Sequence, residues 1–213
     1  MNVSRVGGGP WKQNSFLITL DSSAILIDPG GQSQAILEAL DNNCLTLHAI
    51  INTHGHFDHI GAVQDIVDRT QSTFYISAQE VPIMNTTNLM RFIFKSKEKI
   101  RIPKIFSDLD VMPRKTNFGG ISFELVPTPG HTPGGYCFIV GEHIFSGDTV
   151  LSSMPGSAEL PGGDLQKLAS SLSFLQTLPR DLVLHPGHGR DASLGDALDA
   201  SIRWLESSRS QHD

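Results

Sequence analysis

Thr53-His54-Gly55-His56-Phe57-Asp58-His59 concentrates three histidines and one aspartate in six consecutive positions. Just before it, Leu47-His48-Ala49-Ile50-Ile51 has the character of a short buried strand. Just after it, Ile60, Val63, Ile66 and Val67 recur at helical spacing. The cluster is therefore expected on a strand-to-helix loop, with a rigid element on either side to hold its side chains. Neutral imidazole is a borderline ligand and carboxylate a hard one, and zinc accepts both. Gly55 is expected to let the backbone turn tightly, so that His54 and His56 aim at one ion. Asp58 and His59 lie further along and can aim at a second position. The competing reading is a histidine-rich loop with no ligand role.

The pattern His54-x-His56-x-Asp58-His59 resembles the signature of the metallo-β-lactamase-fold hydrolases. In that superfamily three more ligands follow at long intervals, each in a short loop after a strand. Matching positions are present here: His131 in Thr128-Pro129-Gly130-His131-Thr132-Pro133-Gly134-Gly135, Asp148 in Ser146-Gly147-Asp148-Thr149, and His188 in His185-Pro186-Gly187-His188-Gly189. The resemblance covers nearly the whole chain. It implies an α/β fold, the four-layer αββα sandwich, as a single domain over residues 1–213 with a variable helical insertion at about 78–106.

Carried over position by position, the resemblance gives His54, His56 and His131 to one metal, and Asp58, His59 and His188 to the other, with Asp148 bridging. The implied cofactors are two divalent ions, zinc first, with iron or manganese as alternatives. They would lie about 3.5–4 Å apart and share a hydroxide nucleophile, while a metal polarises the substrate carbonyl. Asp58 and Asp148 are the catalytic carboxylates of that reading. Asp28, in Asp28-Pro29-Gly30-Gly31 at a strand end, is either a turn aspartate or a carboxylate that receives a ligand histidine's other N–H. His185 reads as a buried or supporting group and not as a ligand. His48 and His143, in strands, read as packed or surface histidines.

Aspartate at position 148 argues against the zinc β-lactamases that use a thiolate there. The stretches 53–63, 128–135, 147–149, Leu160-Pro161-Gly162-Gly163-Asp164 and 185–189 are similar to compact bacterial glyoxalase II-like proteins. That resemblance implies hydrolysis of a thioester or related acyl ester, whose carbonyl is electrophilic and whose thiolate leaves well. Two features depart from the pattern. Ser157 stands where a basic residue often meets the substrate carboxylate, and only residues 189–213 follow His188, where full-length glyoxalase II enzymes carry a helical glutathione-binding domain. The alternatives are a mononuclear iron sulfur (persulfide) dioxygenase on the same fold, using His54 or His56 with His131 and Asp148, a lactonase, and a non-catalytic metal-binding scaffold.

Composition narrows the partners. Over 213 residues, 39% are hydrophobic and 18% charged, and the formal charge is −6. These values fit an ordinary globular core and give no basic block for nucleic acid or anionic membrane. Lys95, Lys97, Lys99, Arg101 and Lys104 are interrupted by Glu98 and read as a solvated helix face. There is no apolar N-terminal run and no stretch of membrane-spanning length. Cys44 and Cys137 imply no disulfide, and unpaired thiols suit a reducing cytoplasm.

Elsewhere strands are expected at 14–20, 24–27, 73–76, 121–126, 136–140, 143–145 and 182–184. Helices are expected at 33–40, 60–69, 165–178 and 197–204, with shorter ones starting at Glu80 and Leu89. Gly7-Gly8-Gly9-Pro10 reads as a turn leading Trp11 onto the core, and 207–213 as a frayed tail. Met84, Met90, Phe92 and Phe94 are candidates for a substrate pocket, although packing is the simpler reading for each.

Overall fold

The computed structural model describes residues 1–9, 11–93 and 99–209. Its elements in chain order are β1 (Asn2–Arg5), β2 (Phe16–Leu20), β3 (Ser23–Ile27), α1 (Ser33–Asn42), β4 (Thr46–Ile51), α2 (Phe57–Ile60), α3 (Val63–Thr70), β5 (Thr73–Ile76), α4 (Val81–Ile93), β6 (Ser107–Asp108), β7 (Lys115–Phe118), β8 (Ile121–Pro127), β9 (Tyr136–Val140), β10 (His143–Gly147), α5 (Leu165–Leu175), β11 (Val183–Pro186), β12 (Ala192–Ser193) and α6 (Leu194–Arg209). One sheet has the order β1-β2-β3-β4-β5-β6 and the other β12-β11-β10-β9-β8-β7.

The alternation within the strands dictates the layers. In β2 and β3, Phe16, Ile18, Ile25 and Ile27 face one side and pack with Phe123, Leu125, Phe138 and Phe145 of the second sheet. Leu17, Ala24 and Leu26 face the other side and meet Ile36 and Leu40 of α1 and Val63 and Ile66 of α3. On the outer face of the second sheet, Val126, Cys137, Ile144 and Leu184 pack with Leu168, Leu172 and Leu175 of α5 and Ala197 and Leu198 of α6. Strands buried on both faces are apolar at nearly every position, as a helix-covered sheet requires. The result is the expected αββα sandwich.

Several local expectations need correction. The N-terminal segment contains β1, which pairs antiparallel with β2; four residues with little apolar content carry no strand signal of their own. Trp11 is not in the core: it meets Phe57 edge-on, with ring centroids 5.3 Å apart. The helix expected from Ile60 is two pieces, broken at Gly61 and Ala62. The two helices expected after Glu80 are one, α4, because Pro82 sits in its first turn, where the missing N–H costs nothing. Lys99 to Phe106 contains no helix, and Arg101 instead pairs with Asp65 at 3.0 Å and Asp68 at 2.6 Å on α3. Lys95, Lys97, Glu98 and Phe94 lie outside the described residues. Met84 packs in the core beside the first sheet, whereas Phe92 is 75% exposed. Helix α5 stops at Leu175, and α6 starts earlier than expected and continues to Arg209.

Strands β3 and β4 run parallel, as do β10 and β11, while β8 is two antiparallel steps from β10. The carboxyl ends of β3, β4, β8, β10 and β11 therefore carry their following loops at a common edge of the sandwich. Those loops hold Asp28, His54, His56, His131, Asp148 and His188.

Candidate metal centre

His54 and His56 lie in the loop after β4, and Asp58 and His59 in the single turn of α2. Asn52 steadies that turn, its side-chain amide donating to the His59 carbonyl at 2.8 Å. His131, Asp148 and His188 follow β8, β10 and β11. The fold brings these seven residues together. One donor atom each from His54, His56 and His131 lies within 4.8 Å of the others, and the same holds for Asp58, His59 and His188. Asp148 stands between the two groups. Its Oδ1 is 3.6 Å from His59 Nε2, and its Oδ2 is 3.7 Å from His131 Nε2 and 3.6 Å from His188 Nε2.

The neighbours of the rings settle which nitrogen carries a proton. Asp28 is a carboxylate and can only accept, so the 3.0 Å contact to Oδ2 puts a proton on His59 Nδ1. Thr53 donates its backbone N–H to Asp28 Oδ1 at 2.7 Å and its hydroxyl to Oδ2 at 2.6 Å. The Thr53 hydroxyl oxygen is then left to accept from His54 Nδ1 at 3.0 Å. His131 Nδ1 donates to the Ser157 carbonyl at 2.7 Å. In the neutral ring each of these contacts leaves Nε2 as the lone pair, turned toward the cluster.

His131 Nε2 faces His56 Nδ1 at 3.0 Å, and His59 Nε2 faces His188 Nε2 at 3.4 Å. His54 Nε2 and Asp148 Oδ1 are buried with no hydrogen-bond partner among the described residues. Orphaned buried acceptors are costly. Convergent imidazole nitrogens and a carboxylate are also the donor set of a zinc or iron site, so the residues fit divalent metal. The third three-residue grouping, Asp28 with His54 and His59, is spent on the hydrogen bonds just described.

Electrostatics divide the cluster. Burial holds His54 well below the ordinary imidazole range, with His59 and His56 adding to the effect, and lowers His56 to about 3 with help from His131. Burial also lowers His131. These three rings are neutral and can offer lone pairs. Burial opposes the charged form of His59 too, but Asp148 and Asp58 outweigh it and raise its pKa to about 10. His188, the most exposed of the rings, is raised by Asp58 and Asp148 against burial. Burial works to raise Asp58, yet His59 and His188 hold it below the usual carboxylate range. The acidic groups of the Asp58 side thus favour positive charge, from a proton on His59 or from a metal cation that displaces it.

Gly55 adopts no positive φ. Its need is space: a Cβ there would lie 3.0 Å from Met84 Cγ and 3.1 Å from Glu80 Oε2. At Gly187 a Cβ would collide with Asp148 Oδ1 and His59 Cε1. His185 lies apart from the cluster. It is buried, bonded to His143 at 2.9 Å and Asp191 at 3.0 Å, and stacked on Phe145.

Sequence reasoning passed over Thr53, the Ser157 carbonyl and Glu80. Glu80 is 0% exposed and accepts N–H bonds from Gly55 and Gly134, both at 2.7 Å. Burial raises its pKa, against the pull of those two amides. Ser77-x-x-Glu80 has the spacing of a capping box, a signal that marks Glu80 but points its side chain the wrong way. Beside the cluster, a cavity of about 370 Å³ is lined by Gly9, Trp11, Gly30, Phe57, Asp58 and Lys99 among others.

Known proteins resemble this chain in sequence and fold. The family model described as the metallo-beta-lactamase superfamily matches residues 8–188. The hydroxyacylglutathione hydrolase GloC of Haemophilus influenzae is 30% identical over 210 residues, covering 92% of this chain and 94% of its own. The probable metallo-hydrolase YqgX of Bacillus subtilis is 29% identical over 202 residues, covering 91% and 93%. Among solved structures, TTHA1623 in a di-iron-bound form superposes with a TM-score of 0.84 at 31% identity, over 93% of this chain and 98% of that one. ETHE1 from Myxococcus xanthus, at 23% identity and a TM-score of 0.76 over 98% and 91%, shares the fold. A match across most of the chain, joined to a His/Asp cluster at the loop edge of two sheets, shows that this chain belongs to the metallo-β-lactamase superfamily, whose members are mostly metal-dependent hydrolases.

Proposed function

We propose that this protein hydrolyses a thioester or related acyl ester of a small molecule with two divalent metal ions, zinc first. His54, His56 and His131 hold one ion, and Asp58, His59 and His188 hold the other, with Asp148 between them. The observation that carries this reading is the convergence of imidazole lone pairs whose opposite nitrogens are already bonded to Thr53, Asp28 and Ser157. When bound, the ions supply an acidified water at neutral pH and a Lewis acid for the acyl oxygen.

The chain's own groups do the rest. Asp28, Thr53 and the Ser157 carbonyl keep the rings in one tautomer and orientation. Asp58, ionised, orients the attacking water. The water oxygen, one of its protons lost to solvent, forms a bond to the acyl carbon, the carbon–sulfur bond breaks, and the thiolate takes the other proton, leaving a carboxylate. The cavity beside Asp58 offers room for the acyl or thiol portion, with Trp11 and Phe57 as apolar wall. Ser157, beside His131 and outside that cavity, offers no positive charge to a substrate carboxylate, which counts against glutathione. GloC, named a hydroxyacylglutathione hydrolase, supports the thioester class. A cytoplasmic location goes with this reading, since Cys44 is an exposed free thiol.

The sulfur dioxygenase reading is second. It uses only one histidine pair and Asp148, and leaves the Asp58, His59 and His188 group without a purpose. The experiment is elemental analysis of protein purified without chelator or added metal, followed by thioester and lactone assays. About two zinc, manganese or iron ions per chain with thioester turnover are expected. A single iron with oxygen uptake on a persulfide would overturn the hydrolase.

A further inference from the structure

The loops carrying His54 and His56 and carrying His131 come from different sheets, and Glu80 joins them. Its Oε2 accepts the Gly55 N–H and its Oε1 the Gly134 N–H, each at 2.7 Å. Gly55 lies between His54 and His56, and Gly134 is three residues after His131. Both ties therefore act on one of the two candidate ligand groups. Glu80 itself sits on a single 3-10 turn, 78–80, between β5 and α4. That turn is anchored by Ser77, whose hydroxyl accepts from the Gln79 N–H at 3.1 Å and donates to Asp110 Oδ2 at 2.8 Å.

A fully buried carboxylate is expensive, and among the described residues no cation pairs with it. Two short charge-assisted bonds offset part of that cost and, because each oxygen takes one amide, hold the two loops at a set separation. A glutamine could not do this. Its carbonyl oxygen would accept one N–H while its NH₂ confronted the other.

We infer that Glu80 is a positioning residue for the proposed metal centre, a strut that sets the distance between the His54–His56 loop and the His131 loop. The inference rests on the proposed dinuclear reading. It assigns to Glu80 a selective effect on the His54, His56 and His131 group, while the Asp58, His59 and His188 group, which it does not touch, keeps its ion.

The test is stepwise zinc binding by metal-free protein in competition with a chromophoric chelator, for wild type, Glu80→Gln and Leu172→Ala. Leu172 lies on the buried face of α5 and is no candidate ligand, so its truncation lowers stability without removing a metal donor or either Glu80 bond. Glu80→Gln is expected to weaken one zinc step about tenfold to hundredfold and leave the other unchanged, as loss of a group that orients metal ligands does. Leu172→Ala is expected to keep both steps. In the metal-free protein, amide exchange at Gly55 and Gly134 should quicken in Glu80→Gln. Glu80→Asp, a shorter carboxylate that reaches one amide, should fall between and serves where the glutamine variant does not fold. Wild-type affinity at both steps in the Glu80 variants, or equal losses in Leu172→Ala, would overturn the strut. A wild-type chain that binds no pair of zinc ions would overturn the dinuclear reading and the strut together.

Discussion

At the residue scale the centre is a problem of lone pairs. Asp28 accepts three bonds, two from Thr53 and one from His59, and so fixes one tautomer directly and another through the Thr53 hydroxyl. Among the described residues Asp148 is the one carboxylate within 4 Å of both candidate groups, and one of its oxygens has no hydrogen-bond partner there. Asp148→Ala removes that bridge without disturbing the apolar layers. Metal affinity should fall by more than about hundredfold, a larger loss than removing a supporting group gives, and thioester turnover should fall with it. The far-ultraviolet circular dichroism should stay that of the wild type. Full activity at normal metal content in this variant would remove Asp148 from the proposed site.

At the element scale the loops are held by the ends of the elements around them. Asp164 closes the Leu160-Pro161-Gly162-Gly163-Asp164 stretch and caps α5, its Oδ1 accepting from the Gln166 and Lys167 N–H groups at 3.0 Å each. Its own N–H donates to the Gly130 carbonyl at 2.8 Å, beside His131. This gives the aspartate of that stretch a structural task. Asp164→Ala should cost about 1 kcal/mol. Urea unfolding should show it as a lower midpoint at unchanged slope. The break between α2 and α3 is a second case. Ile60, Val63 and Ile66 keep the helical period, yet Gly61 and Ala62 interrupt the helix. Periodicity reports which side is buried and does not report where the hydrogen-bond ladder stops.

For the whole molecule, the cluster straddles the sandwich. His54, His56, Asp58 and His59 come from the first sheet's loops, and His131, Asp148 and His188 from the second's. Metal bound across them would tie the two sheets together and favour the folded state by mass action. At a free concentration of 100 times the dissociation constant, one ion adds about 2.7 kcal/mol. At about 2–4 °C per kcal/mol for a chain of this size, loss of one ion should lower Tm by about 5–10 °C and chelation of both by about 10–20 °C, and zinc should restore it. An unchanged Tm after verified metal removal would count against ions spanning the sheets.

Much of this protein was legible in the one-dimensional pattern. Apolar runs at 16–20 and 24–27, alternation in 121–126 and helical spacing in 33–40 and 165–175 follow from burying apolar side chains on chosen faces, a local property of the chain. The seven clustered residues were legible because their chemistry is unusual at that spacing and the resemblance supplied the long intervals. What only the tertiary structure decided lies where the partner is distant in sequence or the signal is borne by the backbone. Strand β1 exists because β2 offers it an edge. Asp28 serves His59 because parallel β3 and β4 place their ends together. His131 is oriented by the carbonyl of Ser157, which any residue type would provide. Glu80 looks like a helix cap until two loops from opposite sheets close over it. A side chain's type states what it can bond, and only the packing of the sheets states what is within reach.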